Sequence, residues 1–293
     1  MTKERIAWIG TGIMGRSMCG HLLKAGYPAR VYNRSRAKAE PLAALGATVC
    51  ASPAEAAEGC DMVFTIVGFP RDVEQVILGG NGALSALKPG AALIDMTTSE
   101  PSLAVRIHAE AAERGVQALD APVSGGDVGA REATLAIMVG GEEAVFQRVL
   151  PLFQHMGKNI RLMGGPGAGQ HTKMSNQIAI AGAMLGVVES LLYASKAGLP
   201  LDQVIDVIGS GAASSVQLNV LGRRIAKGDF DPGFFIKHFV KDMGIALAEA
   251  RAMNLTLPGL ALVQQFYIAA QAQGLENLGT QGLYKVLEHM NGL

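Results

Sequence analysis

The sequence predicts an α/β fold. A doubly wound, mostly parallel sheet spans residues 1–165, an all-helical domain spans residues 166–293, and one long helix joins them. Three observations predict it. Short apolar runs alternate with helix-length segments through the first half. Those runs are apolar on successive residues, as strands covered on both faces require. Beyond about residue 165 strand-like runs stop and helical spacing takes over. Strands alternating with helices imply βαβ units.

In chain order, apolar runs at 5–9, 29–32, 62–67, 92–96, 117–121 and 136–139 are the expected strands. Segments 15–25, 36–45 and 102–114 are the expected helices between the earlier ones. The glycine-dense stretch 164–169 leads into a long helical run from 171 to 197. Later breaks fall at 198–200, 228–233 and 257–259. The N-terminal stretch reads as a first strand rather than a signal peptide, since glycines interrupt it and no small-x-small cleavage site follows. Residues 178–193 are almost wholly apolar, but Glu189 lies inside them and Asn176 and Lys196 flank them. The stretch is shorter than the roughly 20 residues a membrane span needs, so a helix buried in protein is expected, and no membrane partner.

Composition narrows the function. The 293 residues exceed one average domain and fall short of three. Hydrophobic residues reach 49% and charged ones only 17%, which excludes a disordered chain. Net charge is zero, with Lys+Arg 25 against Asp+Glu 25, so there is no excess to neutralise a phosphate backbone and no nucleic-acid partner is expected. Cys19, Cys50 and Cys60 form neither a disulfide framework nor a metal-spaced cluster, which fits a reduced, cytoplasmic setting. The six histidines are dispersed, and no metal site is expected.

The sharpest local signal is Gly10-Thr11-Gly12-Ile13-Met14-Gly15, directly after the first strand and opening the first helix. Glycines there permit a tight turn, close approach to a pyrophosphate and close helix–strand packing, while the helix N-terminus offers N–H groups to the anion. This is a dinucleotide-binding signature; the bland alternative is a glycine turn with packing value only. At the end of the second strand an acidic residue would accept hydrogen bonds from a ribose 2′-hydroxyl. The chain has Asn33-Arg34-Ser35 instead. No carboxylate repels a 2′-phosphate there, and Arg34 offers a planar fork to clamp one. NADP is therefore expected ahead of NAD, against the alternative of plain helix capping with Arg34 solvated.

Three further constellations carry chemistry. Asp120-Ala-Pro-Val-Ser124-Gly125-Gly126 begins at a strand end, where a hydroxyl and unshielded glycine N–H groups suit a carboxylate; a plain turn is the alternative. In Gly167-Ala-Gly-Gln-His-Thr-Lys173-Met-Ser-Asn176-Gln177, the lysine opens a helix and the two amides follow on its face. Helix dipole and partial burial both lower a lysine's pKa, which suits a proton donor to a developing alkoxide, whereas a surface lysine is the commoner fate. Lys241-Asp242 from spacing alone reads as a helical ion pair.

Taken together, the glycine turn with Met14, Asp95-Met-Thr-Thr98, Asp120 through Gly126, Gly167 through Asn176 and Lys241-Asp242 resemble the β-hydroxyacid dehydrogenase family over nearly the whole length. The resemblance implies a Rossmann domain, an all-helical domain, an active site in the cleft between them, and dimers or tetramers built through the helical part. It implies that Lys173 is the catalytic lysine. Ser124, Gly125 and Gly126 would hold the substrate carboxylate, and Asn176 would orient the substrate. Val67, Thr98 and Lys241 join Gly10 to Gly15 and Asn33 to Ser35 as cofactor contacts, with Asp242 in support. Where several members carry a second asparagine this chain has Gln177, which leaves open whether Asn176 or Gln177 touches substrate. The expected reaction is NAD(P)-dependent hydride transfer between a small 3-hydroxy acid and its semialdehyde. 3-Hydroxyisobutyrate stands first, with tartronate semialdehyde (2-hydroxy-3-oxopropionate) or another short semialdehyde as the alternative. Asp127-Val-Gly-Ala-Arg131 departs from the lysine-bearing version of glyoxylate/succinic semialdehyde reductases and lowers their rank.

Overall fold

A computed structural model describes residues 3–293; Met1 and Thr2, with which the first domain was expected to begin, lie outside it. The chain forms two compact units, one through Lys173 and one from Met174 to Leu293. The division falls inside a continuous helix, whereas the expected boundary lay at the glycine-dense segment near residue 165.

The first unit is built on nine strands: β1 (Ile6–Ile9), β2 (Ala29–Tyr32), β3 (Thr48–Val49), β4 (Met62–Thr65), β5 (Ala92–Asp95), β6 (Gln117–Asp120), β7 (Val123–Ser124), β8 (Leu135–Gly141) and β9 (Gly157–Gly164). They lie in the order β3-β2-β1-β4-β5-β6-β8-β7, with β9 against β8. Pairing is parallel from β3 to β6 and between β8 and β9, and antiparallel where β8 meets β6 and β7. Seven helices connect them: α1 (Ile13–Lys24), α2 (Glu40–Ala43), α3 (Pro53–Ala57), α4 (Pro70–Leu78), α5 (Pro101–Ala112), α6 (Gly126–Glu132) and α7 (Glu143–Phe153). The winding reverses between β1 and β4. That switch point is where open α/β sheets bind ligands, at the carboxyl ends of the strands.

Both faces of the sheet are covered, which is why the strands lack alternation. In β1, Ile6 and Trp8 enter one core cluster while Ala7 and Ile9 enter the other. Trp8 stacks on Phe64 of β4 with ring centroids 5.4 Å apart. Three strands escaped the sequence reading: β3 and β7 have two residues each, and β9 is largely exposed, with Ile160 and Leu162 packed against the core. The helix expected over 36–45 resolves into a 3₁₀ turn, Arg36–Lys38, and the four-residue α2. Pro41 explains the break, because it has no N–H to continue the earlier turn.

Helix α8 (Ala168–Lys196) begins in the first unit and continues into the second. The rest of the second unit comprises α9 (Leu201–Ile208), a π-helical segment (Gln217–Gly222) running into α10 (Arg223–Ala226), α11 (Ile236–Ala252), α12 (Pro258–Ala272) and α13 (Leu283–Met290). Among the described residues its β pairing is a single bridge, Phe235 to Gly279. Its core gathers Met184, Leu191, Phe239, Met243 and Tyr267. Phe239 and Tyr267 meet edge to face at 5.1 Å, and the buried Tyr267 hydroxyl donates to the Thr280 carbonyl at 2.8 Å.

The length argument against a membrane span does not survive. At 29 residues α8 is long and apolar enough to cross one. Its polar content argues for a protein environment instead, since Gln170, Lys173 and Gln177 are all buried on it.

Candidate active site

The glycine turn sits at the switch point, and its three glycines have separate roles. Gly10 has φ +97°, and a Cβ there would strike the Ile66 carbonyl oxygen. A Cβ on Gly15 would strike the Gly10 carbonyl, so that glycine permits helix–strand packing. Gly12, the N-cap of α1, has nothing within 4 Å of its would-be Cβ. The open space lies where the motif brings a pyrophosphate to the helix N-terminus. The Thr11 hydroxyl beside it is buried without a partner among the described residues. An open cradle, free N–H groups and an orphaned hydroxyl together fit a dinucleotide.

The neighbouring strand ends hold this turn. Asn33 Oδ1 accepts from the Thr11 N–H at 2.9 Å, and Asn33 Nδ2 donates to the Ser35 carbonyl at 3.0 Å. Asn33 thus ties β2 to the turn. Arg34 projects into solvent, its side chain 87% exposed, with Nη1 3.5 Å from Asp72 Oδ1 at the start of α4. On the other side, the Val67 N–H donates to Thr97 Oγ1 at 3.0 Å, and the Val67 side chain borders Gly10.

Two buried carboxylates, paired in register at the ends of β5 and β6, organise the next layer. Asp95 Oδ1 accepts from Thr65 Oγ1 at 2.6 Å and from the Thr97 N–H at 3.1 Å. Burial raises its pKa to about 6, and those hydrogen bonds hold the rise in check. Asp120 accepts from the N–H groups of Gly167 and Gln170, both at 2.8 Å, and so caps the first turn of α8. Burial pushes its pKa up and the backbone donors oppose the shift. Gly140 and Gly169 make room for it: a Cβ on Gly140 would meet Asp120 Oδ1, and one on Gly169 would meet the Met138 carbonyl. Gln170 completes the lock, accepting from the Ser99 N–H at 2.9 Å and donating to the Thr97 carbonyl at 2.7 Å. Lys173, 7% exposed, lies one turn along the anchored helix.

Ser124 closes β7 opposite Ala136. Gly125 and Gly126 have φ +132° and +64° as the chain turns into α6, conformations an L side chain resists. Neither residue has a side chain of its own beside its N–H.

In the second unit a polar chain runs through the helical core. Asn176 Nδ2 donates to Gln177 Oε1 at 2.7 Å, and Gln177 Nε2 donates to Asp242 Oδ2 at 2.6 Å. Lys241 Nζ lies 2.8 Å from Asp242 Oδ1. Successive helical residues do not ordinarily face each other, so Lys241 curls back over the buried Asp242. Gln177 is engaged at both ends of its amide.

The structure thus joins Thr11 with Asn33, Val67 with Thr97, and Asn176 with Gln177 and Asp242. Sequence reasoning missed Asp72 and quoted Asp95, Asp120 and Gln170 without a role for any of them. Among the described residues no three metal-type side chains gather.

Fold and site define a nicotinamide-dependent dehydrogenase. Residues 5–165 match the family model of the NAD binding domain of 6-phosphogluconate dehydrogenase. Residues 167–287 match that of the NAD-binding region of NADP-dependent 3-hydroxyisobutyrate dehydrogenase. The chain belongs to the β-hydroxyacid dehydrogenase family that these models describe. It is 53% identical to a probable 3-hydroxyisobutyrate dehydrogenase-like protein 1, mitochondrial, of Arabidopsis thaliana, over 100% of this chain and 87% of that one. It is 42% identical to the 2-hydroxy-3-oxopropionate reductase of Escherichia coli, over 98% of each. Among solved structures, the Mycobacterium tuberculosis 3-hydroxyisobutyrate dehydrogenase with L-serine superposes with a TM-score of 0.88 at 31% identity, covering 98% of this chain and 99% of that one. The protein is an NAD(P)-dependent hydroxyacid dehydrogenase.

Proposed function

We propose that the protein interconverts 3-hydroxyisobutyrate and its semialdehyde, with NADP preferred to NAD. The observation that carries the reaction is the anchoring of Lys173, a buried amine held one turn from a helix start that Asp120 and Gln170 fix in place. When bound, the nicotinamide donates or accepts the hydride. Ser124 and the Gly125 and Gly126 N–H groups hold the substrate carboxylate and so fix which carbon is presented. Lys173 Nζ gives a proton to the forming alkoxide in reduction and takes it back in oxidation, help worth on the order of 10²–10⁴ in rate. Asn176 orients the substrate. Gln177 supports it, because its amide is committed to Asp242 and Asn176. Thr98 and Lys241 would help hold the cofactor, with Asp242 pairing Lys241.

NADP preference rests on Arg34 and on Asn33, whose Oδ1 is occupied by Thr11. Domain limits of 1–165 and 166–293 are retained as functional halves, the second also building a homodimer or homotetramer. Three buried free cysteines suit a cytoplasmic setting. No nucleic-acid or membrane partner is proposed. The second reading, tartronate semialdehyde, is favoured by the 42% identity to the E. coli reductase. Initial rates on 3-hydroxyisobutyrate and on tartronate semialdehyde, each with both nicotinamides, decide. A kcat/KM of roughly 10⁴ M⁻¹s⁻¹ or more on 3-hydroxyisobutyrate is expected. A slow rate there beside a fast one on tartronate semialdehyde would overturn the substrate choice and leave the chemistry standing.

A further inference from the structure

The choice between the two nicotinamides involves a residue outside the glycine turn and outside β2. Asp72, in the first turn of α4, holds its Oδ1 3.5 Å from Arg34 Nη1. The two side chains differ in freedom: that of Asp72 is 18% exposed and that of Arg34 87%. The carboxylate is therefore the more enclosed partner and the guanidinium the solvated one.

Topology gives the pair its meaning. β1 lies between β2 and β4, Arg34 follows β2 and Asp72 follows β4. The ion pair therefore spans the carboxyl end of the strand that leads into the glycine turn. Asn33, which could have read a 2′-hydroxyl, has its carbonyl oxygen engaged by Thr11. Arg34 is left as the group that distinguishes a 2′-phosphate from a hydroxyl, and Asp72 supplies a competing anion for it.

We infer that Asp72 is a specificity-determining residue that holds down the NADP preference by pairing with Arg34. This rests on the reading of Arg34 as the 2′-phosphate contact and extends it. A carboxylate beside the guanidinium offsets its charge, and a phosphate must displace that partner to bind. At an exposed site such a pair is worth a small factor rather than orders of magnitude. The factor shrinks with salt, because the Debye length falls from about 10 Å at 0.1 M to about 3 Å at 1 M.

The test measures dissociation constants of NADPH and NADH on the purified protein by fluorescence, which requires no substrate. Asp72→Asn is expected to raise the preference for NADPH roughly two- to fivefold at low salt, with NADH binding unchanged. Asp72→Lys should raise it further, and both gains should shrink at 1 M salt. Arg34→Leu is expected to weaken NADPH binding at least tenfold, and adding Asp72→Asn to it should then change nothing. If Arg34→Leu weakens NADPH but both Asp72 variants leave the ratio at the wild-type value, the role of Asp72 falls and the reading of Arg34 stands. If Asp72→Asn still acts in the Arg34→Leu background, Asp72 does not work through Arg34, and the inference is overturned. If Arg34→Leu leaves the ratio unmoved, both readings fall together.

Discussion

At Asp95, burial and hydrogen bonding pull the carboxyl in opposite directions, and burial wins. The consequence for stability has a definite sign. A carboxyl raised from 3.8 to about 6 on folding binds more proton in the native state than in the unfolded one between those values. Stability contributed by this group is therefore lost as pH rises from about 4 to about 6, by an amount on the order of 3 kcal/mol. Asp95→Asn keeps an oxygen for the Thr65 and Thr97 donors. In chemical denaturation across that window, the variant should gain on wild type steadily as pH rises. Parallel curves would contradict the assignment. This residue shows where sequence reading stops. Lys173, Asn176, Ser124 and the glycine turn stood out as candidates because each lies in a compact run of the sequence. The role of Asp120 was not, because its partner Gly167 is 47 positions away and only the folded sheet brings them together. Asp72 was hidden for the same reason: it follows a different strand from Arg34.

Elements divide the glycine turn into parts with different failures. Gly10→Ala drives a methyl into the Ile66 carbonyl at a φ of +97°, so folded protein should scarcely accumulate. Gly12→Ala meets nothing within 4 Å and should fold with a Tm lowered by a few degrees at most, yet bind NADPH at least about tenfold more weakly. Thermal unfolding with and without cofactor reads both. Equal loss of stability in the two variants would mean that Gly12 serves packing after all. The same logic explains which elements were readable. Strands β1, β4 and β5 are buried on both faces and announce themselves as continuous apolar runs. β9 was missed because its residues are mostly exposed and only Ile160 and Leu162 pack on the core, too short an alternation to stand out.

For the whole molecule, the helical unit exposes Tyr193, Val207 and Val216 at 77%, 71% and 67%. The assembly proposed through this unit would cover side chains of this kind. Light scattering should therefore give a mass of at least two 30.5 kDa chains. A single-chain mass at micromolar concentration would contradict the proposed assembly. The division into a sheet unit and a helical unit was legible from the change of periodicity alone. The long helix was legible as well, expected over 171–197 and found over Ala168–Lys196; what misled was the apolar stretch 178–193 inside it, which is shorter than the helix that carries it.

The role of Lys173 is tested most directly by the turnover of Lys173→Ala beside its affinity for NADPH. Turnover should fall at least a hundredfold, on the order of the loss of general acid–base help, with the dissociation constant of NADPH within about twofold of wild type. A variant that keeps more than a tenth of wild-type turnover would show that another group moves the proton.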